Sequence, residues 1–75
     1  MVIKNQHDPI PCRILRRPAV EARTGLSRST IYLKVAHGLF PRPIPLGLRA
    51  VGWIEAEVNA WIQQQVNASR GNGEK

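Results

Sequence analysis

The sequence predicts a small, mostly α-helical domain that carries one short β-hairpin. Three observations predict it: two short helical segments separated by a glycine, a proline-rich stretch followed by a strand-like segment, and a longer helical pattern near the C-terminus. A chain of 75 residues forms one domain and buries only a modest fraction of its surface. A large enclosed substrate cavity is therefore not expected.

The first helix is predicted from about 18 to 24. Pro18 suits the first turn of a helix, and Gly25 suits the left-handed position that ends one. The N-cap is poor, because Arg16 or Arg17 stands where a Ser, Thr or Asp side chain would accept hydrogen bonds from the free amides.

The second helix begins after Ser27, whose hydroxyl suits an N-cap that accepts from the amide of Ser29 or Thr30, and it ends near Gly38. At 100° per residue, two apolar residues share the inward face, Ile31 and Val35. The opposite face collects Ser29, Tyr32, Leu33 and Ala36, flanked by Arg28. Two short helices joined by a tight glycine turn predict a helix-turn-helix.

A β-hairpin follows the second helix. Three prolines within five residues force an extended chain from Phe40 to Pro45. The segment 46–48 then suits a hairpin tip, and "RAVGW" suits a returning strand. Because Pro45 lacks an amide hydrogen, its strand lies at an edge and the hairpin is short. A hairpin behind a recognition helix is a wing, so the predicted fold is a winged helix-turn-helix.

The third helix has the clearest periodicity and is predicted from about 55 to 67. Its apolar stripe repeats at helical spacing, and Glu55 and Glu57 suit the positive end of the helix dipole. Trp53 and Trp61 are expected to supply core volume rather than to stack on bases. The predicted organisation is a flexible arm over 1–12, the winged domain over 13–67 and a disordered tail over 68–75.

Positive charge is concentrated in one part of the chain. The net charge is +6, but residues 13–49 hold eight basic residues and one acidic residue, Glu21. This segregation is what a surface that faces a polyanion requires. The alternative is that the basic residues only maintain solubility.

Base contacts are expected from the first turns of the second helix, because a recognition helix reads base edges from its N-terminal end. Each candidate has an alternative role without base contact: in it, Ser29 only occupies the first turn, Tyr32 packs against the next segment, and Arg28 is solvated. Contacts with phosphates, and for the two wing arginines also with the minor groove, are expected from four arginines. These are Arg16, Arg17, Arg42 and Arg49.

Three blocks resemble the AlpA family of phage-encoded regulators, a winged helix-turn-helix group related to excisionases and MerR-type domains. They are "TGLSRSTIY", "GLFPRPIPLG" and "RAVGWIEAEVNAWI", and the resemblance spans roughly 13–65. It implies sequence-specific DNA binding and a regulatory role in prophage or integrative-element biology, by transcriptional activation, often of excision functions, or by direct assistance to excision. The matching recognition residues are Ser27, Arg28, Ser29, Thr30 and Tyr32; Arg49 matches in the wing, and Pro41, Gly47, Gly52, Trp53 and Trp61 match as scaffold.

The chain departs from the family pattern in two places. Relatives commonly place a basic residue and then an apolar one after this tyrosine, whereas here Leu33 precedes Lys34. Lys34 is expected to border the buried face and extend outward along its stem, leaving Leu33 for DNA or a thymine methyl group. The arm with "HDPIPC" is not explained by the resemblance.

No enzyme, metal or cofactor is expected. His7 and Cys12 lie in the arm, His37 lies at a helix end, and a structural zinc site wants four ligands. Glu55 and Glu57 point to different faces of a helix, and no phosphate-cradling loop is present.

The expected partner is double-stranded DNA, with RNA polymerase or an integrase as further partners and a dimer or cooperative array on DNA. A lone cysteine and the lack of a long apolar run predict a cytoplasmic protein without a membrane span. Two alternatives stay open: an excisionase-type factor that binds and bends attachment-site DNA, and a protein-interaction adaptor.

Overall fold

A computed structural model describes residues 13–73. Its elements in chain order are β1 (Ile14–Leu15), α1 (Arg17–Thr24), α2 (Arg28–Ala36), β2 (Ile44–Pro45), β3 (Val51–Ile54) and α3 (Glu55–Gly73). The predicted arm, with His7 and Cys12, lies outside the described residues, as do residues 74 and 75. The three helices and small antiparallel sheet are those of a winged helix-turn-helix, as predicted.

The helix-turn-helix is built by local capping. Gly25 has φ 77° and its amide donates to the carbonyl of Glu21, which ends α1. Arg16 is the N-cap of α1 and makes no side-chain capping bond, as predicted. At the end of α2, Gly38 has φ 72°, and its amide and that of the next residue donate back to the last turn. This is a Schellman motif, which satisfies the terminal carbonyls.

The predicted hairpin is present, and a third strand joins it. β2 pairs antiparallel with β3 in the register Ile44 to Gly52, which makes a short wing with proline on its edge strand. β1 pairs with the other side of β3, so β3 is the central strand. β1 was not predicted from the sequence, because a two-residue strand has no periodicity to detect.

Within residues 13–73, the core consists of five buried apolar side chains, which come from every helix, the loop after α2 and the central strand. They are Val20, Ile31, Phe40, Trp53 and Val58. The Trp53 indole donates to the carbonyl of Pro41 at 2.9 Å. Trp61 packs edge-on against Phe40 with 4.9 Å between ring centroids, and its indole donates to the carbonyl of Leu39. Both tryptophans therefore support the domain, as predicted.

The C-terminal boundary of α3 was predicted wrongly. The helix continues to Gly73, whereas the sequence analysis ended it at about 67 and expected disorder from 68 onward. No proline interrupts the stretch, and each turn-forming residue costs only about 0.5–1 kcal/mol once a helix is nucleated. A side-chain hydrogen bond from Gln63 to Asn67 links successive turns, and Arg70 suits the negative end of the helix dipole.

Candidate DNA-binding surface

The outward face of α2 is the surface that the sequence analysis predicted. Ile31 is fully buried and Val35 is half-buried, which fixes the rotation of the helix. The opposite face is exposed; it comprises Arg28, Ser29, Tyr32, Leu33 and Ala36. Contact of these side chains with DNA stays a prediction.

Ser27 and Thr30 shape the start of α2. The Ser27 hydroxyl accepts from the Thr30 amide at 3.2 Å and donates to the Thr30 hydroxyl at 3.0 Å. The predicted N-cap is therefore confirmed, with Thr30 as the donor. Within residues 13–73, the side chains of Arg28 and Ser29 make no hydrogen bond or ion pair with the protein. The polar groups of these two side chains are therefore available to a ligand.

Tyr32 belongs to the surface and to the scaffold at once. The residue is 36% exposed, and its ring lies against the ring of Trp53 with 6.0 Å between centroids. The structural alternative proposed for Tyr32, packing against a later segment, is thus observed together with exposure. Contact of this ring with a partner would use the outer edge that Trp53 leaves uncovered.

The departure from the family pattern has the expected geometry. Leu33 is 57% exposed, and Lys34 is half-buried at the border of the inward face. An apolar side chain therefore occupies the outward position next to Tyr32. Such a group suits contact with a methyl group or a sugar rather than a phosphate.

The wing presents Arg49 at its tip. The amide of Leu46 donates to the carbonyl of Ala50 at 2.7 Å and closes the loop, and the side chains of Leu48 and Arg49 are exposed. Arg42 is exposed too, but it lies before β2 in the stretch that runs along α3. The two arginines that the sequence analysis grouped together therefore lie in different parts of the hairpin region.

Arg16 and Arg17 have different surroundings although they are adjacent. The Arg16 Nε donates to the carbonyl of Val51 at 3.1 Å, so its side chain lies against the wing strand β3. Arg17 pairs with Glu21 one turn later on α1, with 3.0 Å between Nε and the carboxylate. The structure thus brings Arg16 towards the wing, whereas the charge of Arg17 is partly neutralised within α1.

Arg23 is a structural residue that the sequence analysis missed. Its guanidinium donates to Glu55 at 3.1 Å and to the side chain of Asn59, which joins α1 to the first turns of α3. The separation of more than thirty residues leaves no local signal of this contact. Arg23 is therefore engaged by the scaffold.

An open groove of about 780 Å³ separates the 38–44 stretch from α3. Its walls include Leu39, Trp61 and Glu57. Among residues 13–73, no group of three or more His, Cys, Asp or Glu side chains is placed to hold a metal ion. In the same part of the chain, none of the helices is long and apolar enough to cross a membrane.

A comparison with known protein families identifies the family of this chain. The family described as "Prophage CP4-57 regulatory protein (AlpA)" matches residues 13–66, which is more than half of the chain. The chain belongs to the AlpA family. The resemblance given by the three sequence blocks is thereby confirmed, and the matched range coincides with the winged helix-turn-helix.

Two relatives cover most of the domain. A "DNA-binding transcriptional activator AlpA" of Escherichia coli (strain K12) is 44% identical over 59 residues, which covers 71% of this chain and 84% of that protein. "Uncharacterized protein ORF88" of Enterobacteria phage P4 is 44% identical over 61 residues, which covers 81% of this chain and 68% of that protein.

Proposed function

We propose that this AlpA-family chain is a sequence-specific DNA-binding regulator that activates transcription of prophage or integrative-element genes, excision functions among them. The exposed N-terminal half of α2, with Arg28 and Ser29 unengaged by the protein, is the observation that carries the proposal. The E. coli relative, a DNA-binding transcriptional activator, supports it.

The recognition helix lies in the major groove with its capped end towards the bases. Arg28 is long enough to donate two hydrogen bonds to guanine, and Ser29 donates to or accepts from a neighbouring base or phosphate. Ser27 and Thr30 hold each other and keep the first turn in place. Tyr32 contributes contacts through the edge of its ring, and Leu33 contributes contacts with methyl groups. The helix thereby discriminates among base pairs within a site of roughly one to two major-groove turns.

Phosphate contacts come from arginines around this helix. Arg49 at the wing tip and Arg16 beside β3 are the first candidates. Arg17 is partly neutralised by Glu21, and Arg42 lies in the stretch along α3. Contacts of this kind fix register without reading sequence. They also make the logarithm of the affinity fall linearly with the logarithm of the salt concentration, with a slope of about −0.9 for each phosphate contact.

The same domain suits a second role, an excisionase-type factor that binds and bends attachment-site DNA. RNA polymerase would be the partner in activation and an integrase the partner in excision. A dimer or a cooperative array would enlarge the small contact area of one domain. In each case the protein acts in the cytoplasm, on the nucleoid.

The deciding measurement is fluorescence anisotropy with labelled DNA fragments at several salt concentrations. Fragments from the attachment site and promoters of the neighbouring element are compared with random DNA. A preference for one fragment at physiological salt supports the regulator and identifies the region that it serves. Equal binding to all fragments, lost as the salt concentration rises, would contradict the proposed regulator and favour the protein-interaction adaptor.

Three single variants test the assignment of roles. Ser29→Ala should cost about 1–3 kcal/mol at the cognate site with a smaller loss on random DNA, whereas Arg49→Ala should weaken both alike. Arg70→Ala is the matched control, because Arg70 is exposed in the last turn of α3. If Ser29→Ala weakened binding to both DNAs equally, as Arg49→Ala is expected to do, α2 would be rejected as the recognition helix.

A further inference from the structure

Leu48 is the most exposed large apolar side chain among residues 13–73. It is 96% exposed, against 58% for Leu39, 57% for Leu33 and 44% for Leu46. Keeping a leucine in water forgoes the free energy that burial of its side chain would supply. A side chain of this kind at the end of a hairpin is placed to be buried by something other than its own domain.

The tip that carries Leu48 is slender and held in position. Gly47 has open space where a side chain would be, so the loop presents two exposed side chains next to it, those of Leu48 and Arg49. The strand that follows, β3, is the central strand and contains the buried Trp53. Since Trp53 packs against Tyr32, the wing and the recognition helix are held by the same ring.

The surroundings of the tip are cationic. Arg49 is adjacent to Leu48, and Arg16 donates to the backbone of the same hairpin at Val51. No acidic residue occurs from residue 22 to residue 54. A polyanion can therefore approach the tip without repulsion from this stretch.

We infer that Leu48 is a minor-groove wedge: it enters the groove beside the site of α2, partly unstacks one base step and bends the DNA. This inference rests on the proposed DNA binding and adds a deformation to it. The minor groove is only about 6 Å wide, so the inserted part is the Leu48 side chain, and the groove opens as the DNA bends. Leucine is among the apolar side chains that kink DNA in this way, by roughly 20–90°.

The groove between residues 38–44 and α3 of a second copy is the competing place for Leu48. Its wall contains Glu57, which would suit Arg49, together with apolar residues. The cations around the tip favour DNA. The two sites predict different measurements, so docking on a second copy becomes an outcome of the test.

The test measures DNA bending by energy transfer between dyes at the two ends of a short duplex with one binding site. The proteins are wild type, Leu48→Ala, Leu48→Met and the control Leu39→Ala, which shortens another exposed leucine. Leu48→Ala should reduce the bend and weaken binding about tenfold, while its preference for the cognate site remains. Leu48→Met should keep most of the bend, and Leu39→Ala should behave as wild type.

Fluorescence of 2-aminopurine, placed in turn at each step next to the site, reports unstacking directly. Wild type should raise the emission at one step, preferentially a flexible pyrimidine–purine step, and Leu48→Ala should not. An unchanged bend and unchanged emission with Leu48→Ala would overturn the wedge. A normal bend at one site with lost cooperativity on tandem sites would also overturn it and place Leu48 on a second copy.

The inference and the proposed function can fail separately. The bend is measured on random DNA at low salt as well, where general electrostatic binding is sufficient. Wild type that prefers no fragment, yet bends random DNA through Leu48, rejects the sequence-specific regulator and retains the wedge. Because Leu48 is exposed, its variants should melt at the wild-type temperature, which a thermal scan by circular dichroism checks.

Discussion

The ring of Tyr32 on α2 lies against the ring of Trp53 on the central strand, with centroids 6.0 Å apart and planes inclined by 58°. Trp53 is fully buried and donates to the carbonyl of Pro41 in the loop after α2. Helix, loop and wing strand therefore meet at one indole. This contact fixes the angle between α2 and the wing before any DNA is bound, which spares the ordering cost on association.

Tyr32→Phe and Tyr32→Ala should separate the ring of Tyr32 from its hydroxyl. Tyr32→Phe keeps the contact with Trp53 and should unfold at the wild-type denaturant concentration. Tyr32→Ala removes an aromatic pair and should lower the free energy of unfolding by about 1–2 kcal/mol. Urea unfolding followed by tryptophan fluorescence gives both values.

The same two variants assign the role of Tyr32 in binding. Loss of cognate affinity with Tyr32→Phe indicates a hydroxyl contact to DNA. Loss with Tyr32→Ala alone indicates that the ring acts as a spacer or an apolar contact. Equal stability of Tyr32→Ala and wild type would contradict the scaffold role derived from the packing.

Substitutions of Ser27 should separate helix capping from DNA affinity. Ser27→Ala removes the acceptor for the Thr30 amide and should cost about 1 kcal/mol of stability. Ser27→Asp retains a side-chain cap and should keep the melting temperature near that of wild type. Its carboxylate would lie where DNA phosphates approach, so its affinity for every DNA should fall, as anisotropy at low salt measures. Wild-type affinity for Ser27→Asp would place the N-terminus of α2 away from DNA.

Gly52→Ala should destabilise the sheet. A methyl group there would meet the side chain of Ile14 on β1, lie 2.9 Å from Leu46 Cδ1 and 3.2 Å from the carbonyl of Leu15. Overpacking of this kind costs about 1–3 kcal/mol. Gly47→Ala is the matched control for stability, because nothing lies within 4 Å of its added carbon. Equal melting temperatures for the two variants would show that β1 shifts without cost.

The sequence predicted those parts of the fold that depend on neighbours in the chain. Gly25, Ser27 and Gly38 each carry a local conformational or capping signal, and the prolines define the edge strand. β1 and the contact of Arg23 with Glu55 depend on residues more than thirty positions apart, so no short-range pattern reveals them. The tail was mispredicted because scattered turn-forming residues were given more weight than the continuity of α3.

The candidate surface was predictable for the same reason. A helical period places Arg28, Ser29 and Leu33 outward once Ile31 is inward, and the structure has this rotation. The period does not show which arginines are engaged elsewhere. Arg17 and Glu21 are one helical turn apart, and their pairing at 3.0 Å distinguishes Arg17 from Arg28, whose charge is unpaired within residues 13–73.

Glu21→Gln should strengthen DNA binding by releasing Arg17. Glu21 is the only acidic residue between 13 and 49, and its carboxylate holds the guanidinium of Arg17 on α1. Without this partner, Arg17 can contact a phosphate, which should steepen the dependence of log affinity on log salt by about 0.9. The free energy of unfolding should change by less than about 1 kcal/mol, because the pair is partly exposed.

Glu57→Gln is the control for Glu21→Gln, because it makes the same change of charge at an exposed position on α3. A gain that depends on Arg17 should appear only with Glu21→Gln and should vanish in the double variant Arg17→Ala, Glu21→Gln. Equal gains from Glu21→Gln and Glu57→Gln would show that net charge alone steers binding, and Arg17 would then have no place among the phosphate contacts. Anisotropy titrations over a series of salt concentrations measure all four proteins.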